Sequence, residues 1–314
     1  MTAVAAGPGK QQVCVPSVEH VAQRLRVDGT QLVTADRNVG GIEDQTEQEL
    51  SDRIYRAAHA GNTDDTKTLD GVLQDYEFER FVRGRVVDGL TDVAVDSIST
   101  GALSIGRVSV SASPTEEALF EVDGTTYLRT TSWRPNLSPG FLLYDHRLAS
   151  HRATSDDAPI ERIYIAQSDP ETAVSEWAVC IERLIELGIP FRTKLLSRRV
   201  RYPRSDALVV YAQQRGSEIL EAVLDVRRQR TTNEFEKSTS LFVADHGHGV
   251  GTAQEPLRGH QRGVKESFGQ HRSTVVARAF ARHRSEGISL TTALEQSASV
   301  SGVDLADFSR NSQA

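Results

Sequence analysis

The stretch from Ile160 to Asp245 runs through six elements in an order that few folds accommodate. IERIYIAQ reads as a strand, and DPETAVSEWAVCIERLIELG as an amphipathic helix with Asp169 as N-cap, Pro170 at its first position and Gly188 as its stop. IPFRTKLL and DALVVYAQ are strands joined by SRRVRYPRS, GSEILEAVLDVRRQ is a helix, and TSLFVAD a further strand. The order β-α-β-β-α-β is the split arrangement, which lays its helices on one face of an antiparallel sheet. It predicts an α+β fold for the C-terminal half.

Upstream the period differs. Residues 1–15 are expected to be disordered, and residues 16–100 to form a helical, partner- or leader-binding region built from VEHVAQRL, ELSDRIYRAAHAG and LDGVLQDYEFERFVRGRVVDGL. From Leu103 the period becomes two, in SIGRVSVSA and ALFEVDGTTYLRTTS, where Asp123 and Gly124 signal a hairpin. FLLYDHR is a further strand, so one α+β domain is expected over residues 101–314. Within it Asp245 to Gly269 reads as a long loop, Gln270–Arg284 and Ser289–Val300 as helices, and the end SRNSQA as fraying.

Charge adds a direction. The net charge is −7, yet Pro190 to Arg284 holds 18 Lys and Arg against 9 Asp and Glu, so the span is +9 and the rest −16. A basic segment in an acidic chain suggests an anionic ligand held at one place. Cys14 and Cys180 lie too far apart in sequence to signal a disulfide framework or a zinc site, which suits a reducing, cytoplasmic setting. No run approaches the roughly 20 apolar residues of a membrane helix, the start lacks a secretory pattern, and neither membrane nor nucleic acid is an expected partner.

Four clusters carry candidate chemistry. In PFRTKLL, alternation puts Lys194 on one sheet face beside Arg192; a partly buried lysine next to a second cation is placed to act as a base. Arg198, Arg199, Arg201 and Arg204 crowd the next connection, where Arg204 and Asp206 lead into an apolar strand as a ready pair, and Arg162 can reach the same surface. SFGQHRSTVV places His271 and Arg272 at a helix N-terminus, an anion site in its own right. DHGHG offers His246 and His248 as a chelating pair, with Asp245, His260 and His271 available. Phosphate-loop, dinucleotide and nucleophile-elbow motifs are absent from the sequence.

RIYIAQ, GIPFRTKLL, YPRSDALVVY, GVGTAQEP and SFGQHRSTVVARA, in that order, together with the upstream WRPNLSPGF, resemble the HopA-type effector family over roughly residues 125–285. The segment ADHGHGVG departs from the family's apolar or proline-containing pattern. The resemblance implies a standalone lyase of class V lanthipeptide or thioviridamide-like biosynthesis. Such a protein removes phosphate from phosphoserine or phosphothreonine of a precursor peptide, leaving dehydroalanine or dehydrobutyrine. Its implied partners are the phosphorylated precursor, a separate Ser/Thr peptide kinase and a cyclase, with no cofactor. By chemical analogy with phosphothreonine lyases, Lys194 is the base, His271 the acid with Tyr202 as substitute, Arg162, Arg204 and Arg272 hold phosphate, and Asp206 orients Arg204. Two other readings stand beside it: a non-catalytic phosphopeptide-binding partner of the kinase, and a metal-dependent hydrolase using DHGHG.

Overall fold

The computed structural model describes residues 13–313 except 29–30, 35–36, 42–44, 62–74, 100–101, 106–107, 112–117, 135–137, 151–158, 214, 231–235, 237 and 258–265. Helix α1 (Val18–Arg24) leads into β1 (Leu25–Asp28), β2 (Gln31–Thr34) and β3 (Arg37–Gly41), a small antiparallel sheet. Helix α2 (Glu47–Ile54) starts at a capping box between Thr46 and Glu49 and runs on into a π-helical turn, Tyr55–Ala60. After α3 (Tyr76–Arg83) come β4 (Leu90–Ala94), β5 (Ser97–Ser99), β6 (Ala102–Ile105), β7 (Val108–Ser111), β8 (Leu119–Val122) and β9 (Thr125–Thr131). These strands form two more three-stranded sheets, β4-β9-β8 and β5-β6-β7.

The remaining elements make the body of the fold. They are β10 (Trp133–Arg134), β11 (Phe141–His146), β12 (Glu161–Gln167), α4 (Pro170–Glu186), β13 (Phe191–Leu196), β14 (Arg204–Ala212), α5 (Gly216–Arg228), β15 (Ala244–Asp245), β16 (Val250–Gln254), α6 (Phe268–Glu286) and α7 (Leu290–Val300). The sheet order is β10-β11-β13-β14-β12-β16-β15, antiparallel throughout. At its centre β16-β12-β14-β13 is the split β-α-β arrangement, so the α+β class is as expected. Asp169 caps α4 with Pro170 in its first turn, and the hairpin at Asp123 and Gly124 has positive φ at both residues (48° and 76°).

Both faces of this sheet are covered. Ile163, Ile165, Leu195, Leu208 and Val210 pack against Trp177 and Ile181 of α4, Ile219 and Val223 of α5, and Phe78 of α3. On the opposite face Tyr164, Val209 and Ala253 meet Val21, Ile54, Phe268, Val276, Phe280 and Leu294, from α1, α2, α6 and α7. The first third of the chain is therefore part of both cores.

Several expectations fail for identifiable reasons. The first third is not helical throughout: β1–β3 lie inside it, and Leu90–Ala94, from the end of the last expected helix onward, pairs with β9. Residues 1–12 and all of LDGVLQ lie outside the described residues, but Cys14, expected to be disordered, exchanges two backbone hydrogen bonds with Asp245 (3.0 and 2.9 Å). TSLFVAD supplies only two strand residues, because Phe242 and Val243 are buried in a turn. The strand beside β12 is instead β16, inside the expected loop; its small residues hide the period, and a Cβ at Gly251 would stand 2.2 Å from Val243 Cγ2. SRNSQA is not frayed: Val303 and Asn311 form a bridge, Phe308 is fully buried, and its N–H donates to Pro16 O (2.6 Å).

Phe308→Ala is expected to lower unfolding free energy by about 3–5 kcal/mol, read as a drop in urea midpoint at unchanged slope. A change below about 1 kcal/mol would contradict this docking of the C-terminal segment.

Candidate functional site

The alternation of β12, β13 and β14 decides which side chains meet. Lys194 lies opposite Val209, which lies opposite Tyr164; one step along, Arg192 lies opposite Tyr211, which lies opposite Arg162. Two adjacent rows of the sheet thus carry Lys194 and Tyr164, then Arg192, Tyr211 and Arg162, on the face covered by α2 and α6. Strict alternation would turn Asp206 to the other face from Val209. The register between β12 and β14 shifts, however, from Ile165↔Leu208 to Gln167↔Arg204, so two residues on β12 face four on β14. This bulge brings Arg204 and Asp206 to the same face.

Arg204 grips Asp206 with Nε and Nη2 (2.7 and 2.8 Å). The second element at this point is the π-helical turn. Tyr55 Oη donates to Asp206 Oδ2 (2.8 Å) and accepts from Arg204 Nη2 (3.0 Å), while His59 places Nε2 at 3.9 Å from Asp206 Oδ2 and Nδ1 at 2.8 Å from Ser240 Oγ. The His59 ring stands among Tyr55, Tyr164, Phe242 and Phe268, with centroids 5.1–6.4 Å away. Its room depends on Gly269, where a Cβ would lie 2.2 Å from His59 Cδ2.

Arg162 is buried, donates through Nε to Glu255 and lies 5.1 Å over the Tyr211 ring. Lys194 Nζ stands 3.9 Å over the Phe141 ring and 6.0 Å from that of Tyr211. Among the described residues its amine makes no hydrogen bond or ion pair.

The charges interlock. Burial pushes the His59 imidazolium down to about 4; Asp206 opposes this, while Arg204, Arg162 and Lys194 add to it. One buried ring thus feels all three cations. Burial alone would raise the Asp206 carboxyl, but Arg204 and then His59 hold it well below the usual carboxylate range. Burial raises the phenols of Tyr55 and Tyr164, so both stay protonated donors. The assembled group is an ionised guanidinium fixed by its carboxylate, a second buried guanidinium and an uncommitted amine, an arrangement suited to an anion with a reacting carbon beside it.

Lys194, Arg162, Arg204 and Asp206 are thus brought together. His271, Arg272 and Tyr202 are not. Arg272 is fully buried and spends Nε on Phe308 O (2.7 Å) and Nη2 on Arg310 O (2.8 Å), while its Nη1 meets His271 Nδ1 (2.7 Å). The pair clamps the C-terminal segment, and burial pushes the Arg272 guanidinium down to about 9. Tyr202 lies in the core on the opposite face, donating to Leu196 O (3.2 Å) and edge-on to Phe78.

DHGHG is a turn and not an extended chelating pair. Gly247, His248 and Gly249 have φ of 77°, 55° and 69°, His246 Nε2 is 2.8 Å from Thr252 Oγ1, and Arg227 donates to His248 O (2.8 Å). His260 lies outside the described residues, among which no group of three or more His, Cys, Asp or Glu is placed to share a metal ion.

A family model described as the HopA1 effector protein family matches residues 132–310. That span contains Arg162, Lys194, Arg204, Asp206 and Glu255 and excludes Tyr55 and His59. Two solved structures are similar. An effector protein from Pseudomonas syringae pv. syringae strain 61 has 12% identity and a TM-score of 0.40, with 55% of this chain covered. This chain spans 63% of that protein's length. An effector protein from Pseudomonas syringae pv. tomato strain DC3000 has 13% identity and a TM-score of 0.47, covering 87% of this chain and 92% of that one. No curated protein matches the chain.

The depressed His59 has a direct consequence. Between its folded value of about 4 and its ordinary 6.5 the unfolded chain binds the extra proton. Stability is therefore full above pH 6.5 and falls as pH drops to 4, by on the order of 3 kcal/mol from this group. Urea midpoints across that range in the native protein and His59→Gln should show the shallower slope in the variant; equal slopes would contradict a neutral buried His59. Gly269→Ala should destabilise by about 1–3 kcal/mol through overpacking against the same ring.

Proposed function

This chain belongs to the HopA1 effector protein family, and we propose that it is a lyase that eliminates phosphate from phosphoserine or phosphothreonine of a peptide. The observation that carries the reading is the uncommitted amine of Lys194 on one sheet face with two fixed guanidiniums, those of Arg204 and Arg162. In the proposed reaction Lys194, as the neutral amine, takes the proton from Cα. The electron pair released forms the Cα–Cβ double bond as the Cβ–O bond breaks. Phosphate leaves with the bonding pair, its charge met by Arg204 and Arg162, and Lys194 remains as the ammonium. Asp206 holds Arg204 in place. Tyr55, whose single O–H donates to Asp206 while its oxygen accepts from Arg204, holds that pair in position, and the two guanidiniums take over the leaving-group role expected of His271 and Tyr202.

On this reading the substrate is a precursor peptide phosphorylated by a separate kinase, as in class V lanthipeptide or thioviridamide-like pathways, and a cyclase would consume the alkene. The first third supplies Tyr55 and His59, so any leader-binding role would be added to a part in the site. One observation favours a second reading, a phosphopeptide-binding partner of the kinase: Lys194 Nζ over the Phe141 ring at 3.9 Å is also the geometry of a fixed binding cation.

The test is incubation with a chemically phosphorylated Ser/Thr peptide, without kinase or added metal, followed by mass and thiol trapping. Native protein is expected to give a thiol-reactive alkene. Lys194→Met should lower the rate by about 10²–10⁴-fold, and Arg204→Lys, which loses the fork, should raise KM. Alkene formation undiminished in Lys194→Met would refute the base assignment, and binding without alkene in the native protein would favour the second reading.

A further inference from the structure

A second cationic cluster lies along β11 and β13 on the same sheet face. Asp145 is opposite Arg192, and Arg134 of β10 is opposite Leu143, which is opposite Lys194. Asp145 accepts from Arg147 through Nε and Nη2 (2.7 and 2.6 Å) and from Arg192 Nη2 (2.9 Å). Arg134 points Nη1 at the carbonyls of Thr131 and Trp133. Among the described residues its Nη2 and the Nε of Arg192 are buried donors with no acceptor.

Two guanidiniums therefore bond one carboxylate, and a third, that of Arg134, feels its charge without bonding it. Asp145 is 2% exposed, but Arg147 and Arg192 are 51% and 39% exposed, so the cluster is buried at its anchor and open at its edge. Burial raises the Asp145 carboxyl, yet Arg147 and Arg192 bring it below its ordinary range; it is ionised, which leaves the cluster two positive charges in excess. Burial also lowers the Arg134 guanidinium, with Asp145 opposing and Arg147 and Arg192 adding to the effect, so the four groups act on one another. Excess like charge, reachable through the exposed Arg147 and Arg192 side chains and backed by buried unmet donors, is what an anion would relieve.

Spacing sets where along a bound peptide the anion would lie. Arg192 and Lys194 are two residues apart on one strand, about 7 Å, which is also the distance between alternate side chains of an extended peptide. We propose that Arg134, Arg147 and Arg192 form an anion subsite that receives an acidic group, carboxylate or phosphoryl, two residues from the residue presented to Lys194. The register rests on the lyase reading, but the subsite is testable without turnover.

The probes are fluorescent peptides in which a phosphonate, with CH₂ in place of the ester oxygen, substitutes for phosphothreonine and cannot be eliminated. They carry alanine, glutamate or a second phosphonate two residues to either side. Full-length native protein is expected to bind an acidic peptide about tenfold more tightly than the alanine peptide, with the preference fading in salt. Arg134→Gln, and independently Arg147→Gln, should reduce the preference to about twofold or less while leaving affinity for the alanine peptide unchanged. Tighter binding of the second phosphonate than of glutamate would support the subsite as a phosphoryl site; equal binding would support it as a carboxylate site. Native protein that does not discriminate, or discrimination that survives in both folded variants, would overturn the proposal. Discrimination among phosphorylated counterparts that the native protein never eliminates would sustain the subsite and refute the lyase.

Discussion

The forked pairing of Arg204 with Asp206 is the interaction on which the rest of this face depends. A buried carboxylate is costly unless matched, and here it is matched three ways: by the fork, by the Tyr55 hydroxyl and by the dipolar edge of His59. The strand bulge that turns Asp206 to this side and the π-helical turn that aims Tyr55 and His59 at it are distant in sequence. Each is a local irregularity, and irregularities of this kind recur where side chains must be re-aimed. Neither would leave a satisfied interior without the other.

Much of the central sheet was legible because strands and helices announce themselves by period. Lys194 and Arg192 share a face as alternation requires, and Arg204 finds Asp206 because two residues on one strand are neighbours on one side. Alternation does not extend to Tyr202, which lies before β14 at the end of the 3-10 turn Arg199–Arg201 and packs in the opposite core. Tyr55 and His59 left only a faint mark, an aromatic and an imidazole four apart on a helix. What makes them meaningful is Ser240, Asp206 and Gly269, all contributed from far along the chain. Arg272 shows the opposite error: its position at a helix start was read correctly, but the polar tail that covers it gave no sign of packing.

The division of the chain into a helical first part and a catalytic remainder also reads differently in three dimensions. The family span begins at residue 132, yet the phenol and the imidazole beside Asp206 come from Tyr55 and His59. A fragment limited to the family span would expose Tyr164, Val209 and Phe268, which the first third now covers. Two acids of that third also pair directly with the basic half, Glu47 with Arg278 (2.9 Å) and Asp75 with Arg199 (3.9 Å).

The hydrogen bond from Phe308 to Pro16 ties the opening of the described chain to its close, and the Cys14–Asp245 bridge adds a second knot beside it. The backbone is in effect a ring closed by non-covalent links. Peeling from one end cannot proceed without loosening the other, so the extremities are expected to exchange their amide hydrogens as one cooperative unit with α6 and α7 and not as two independently mobile tails.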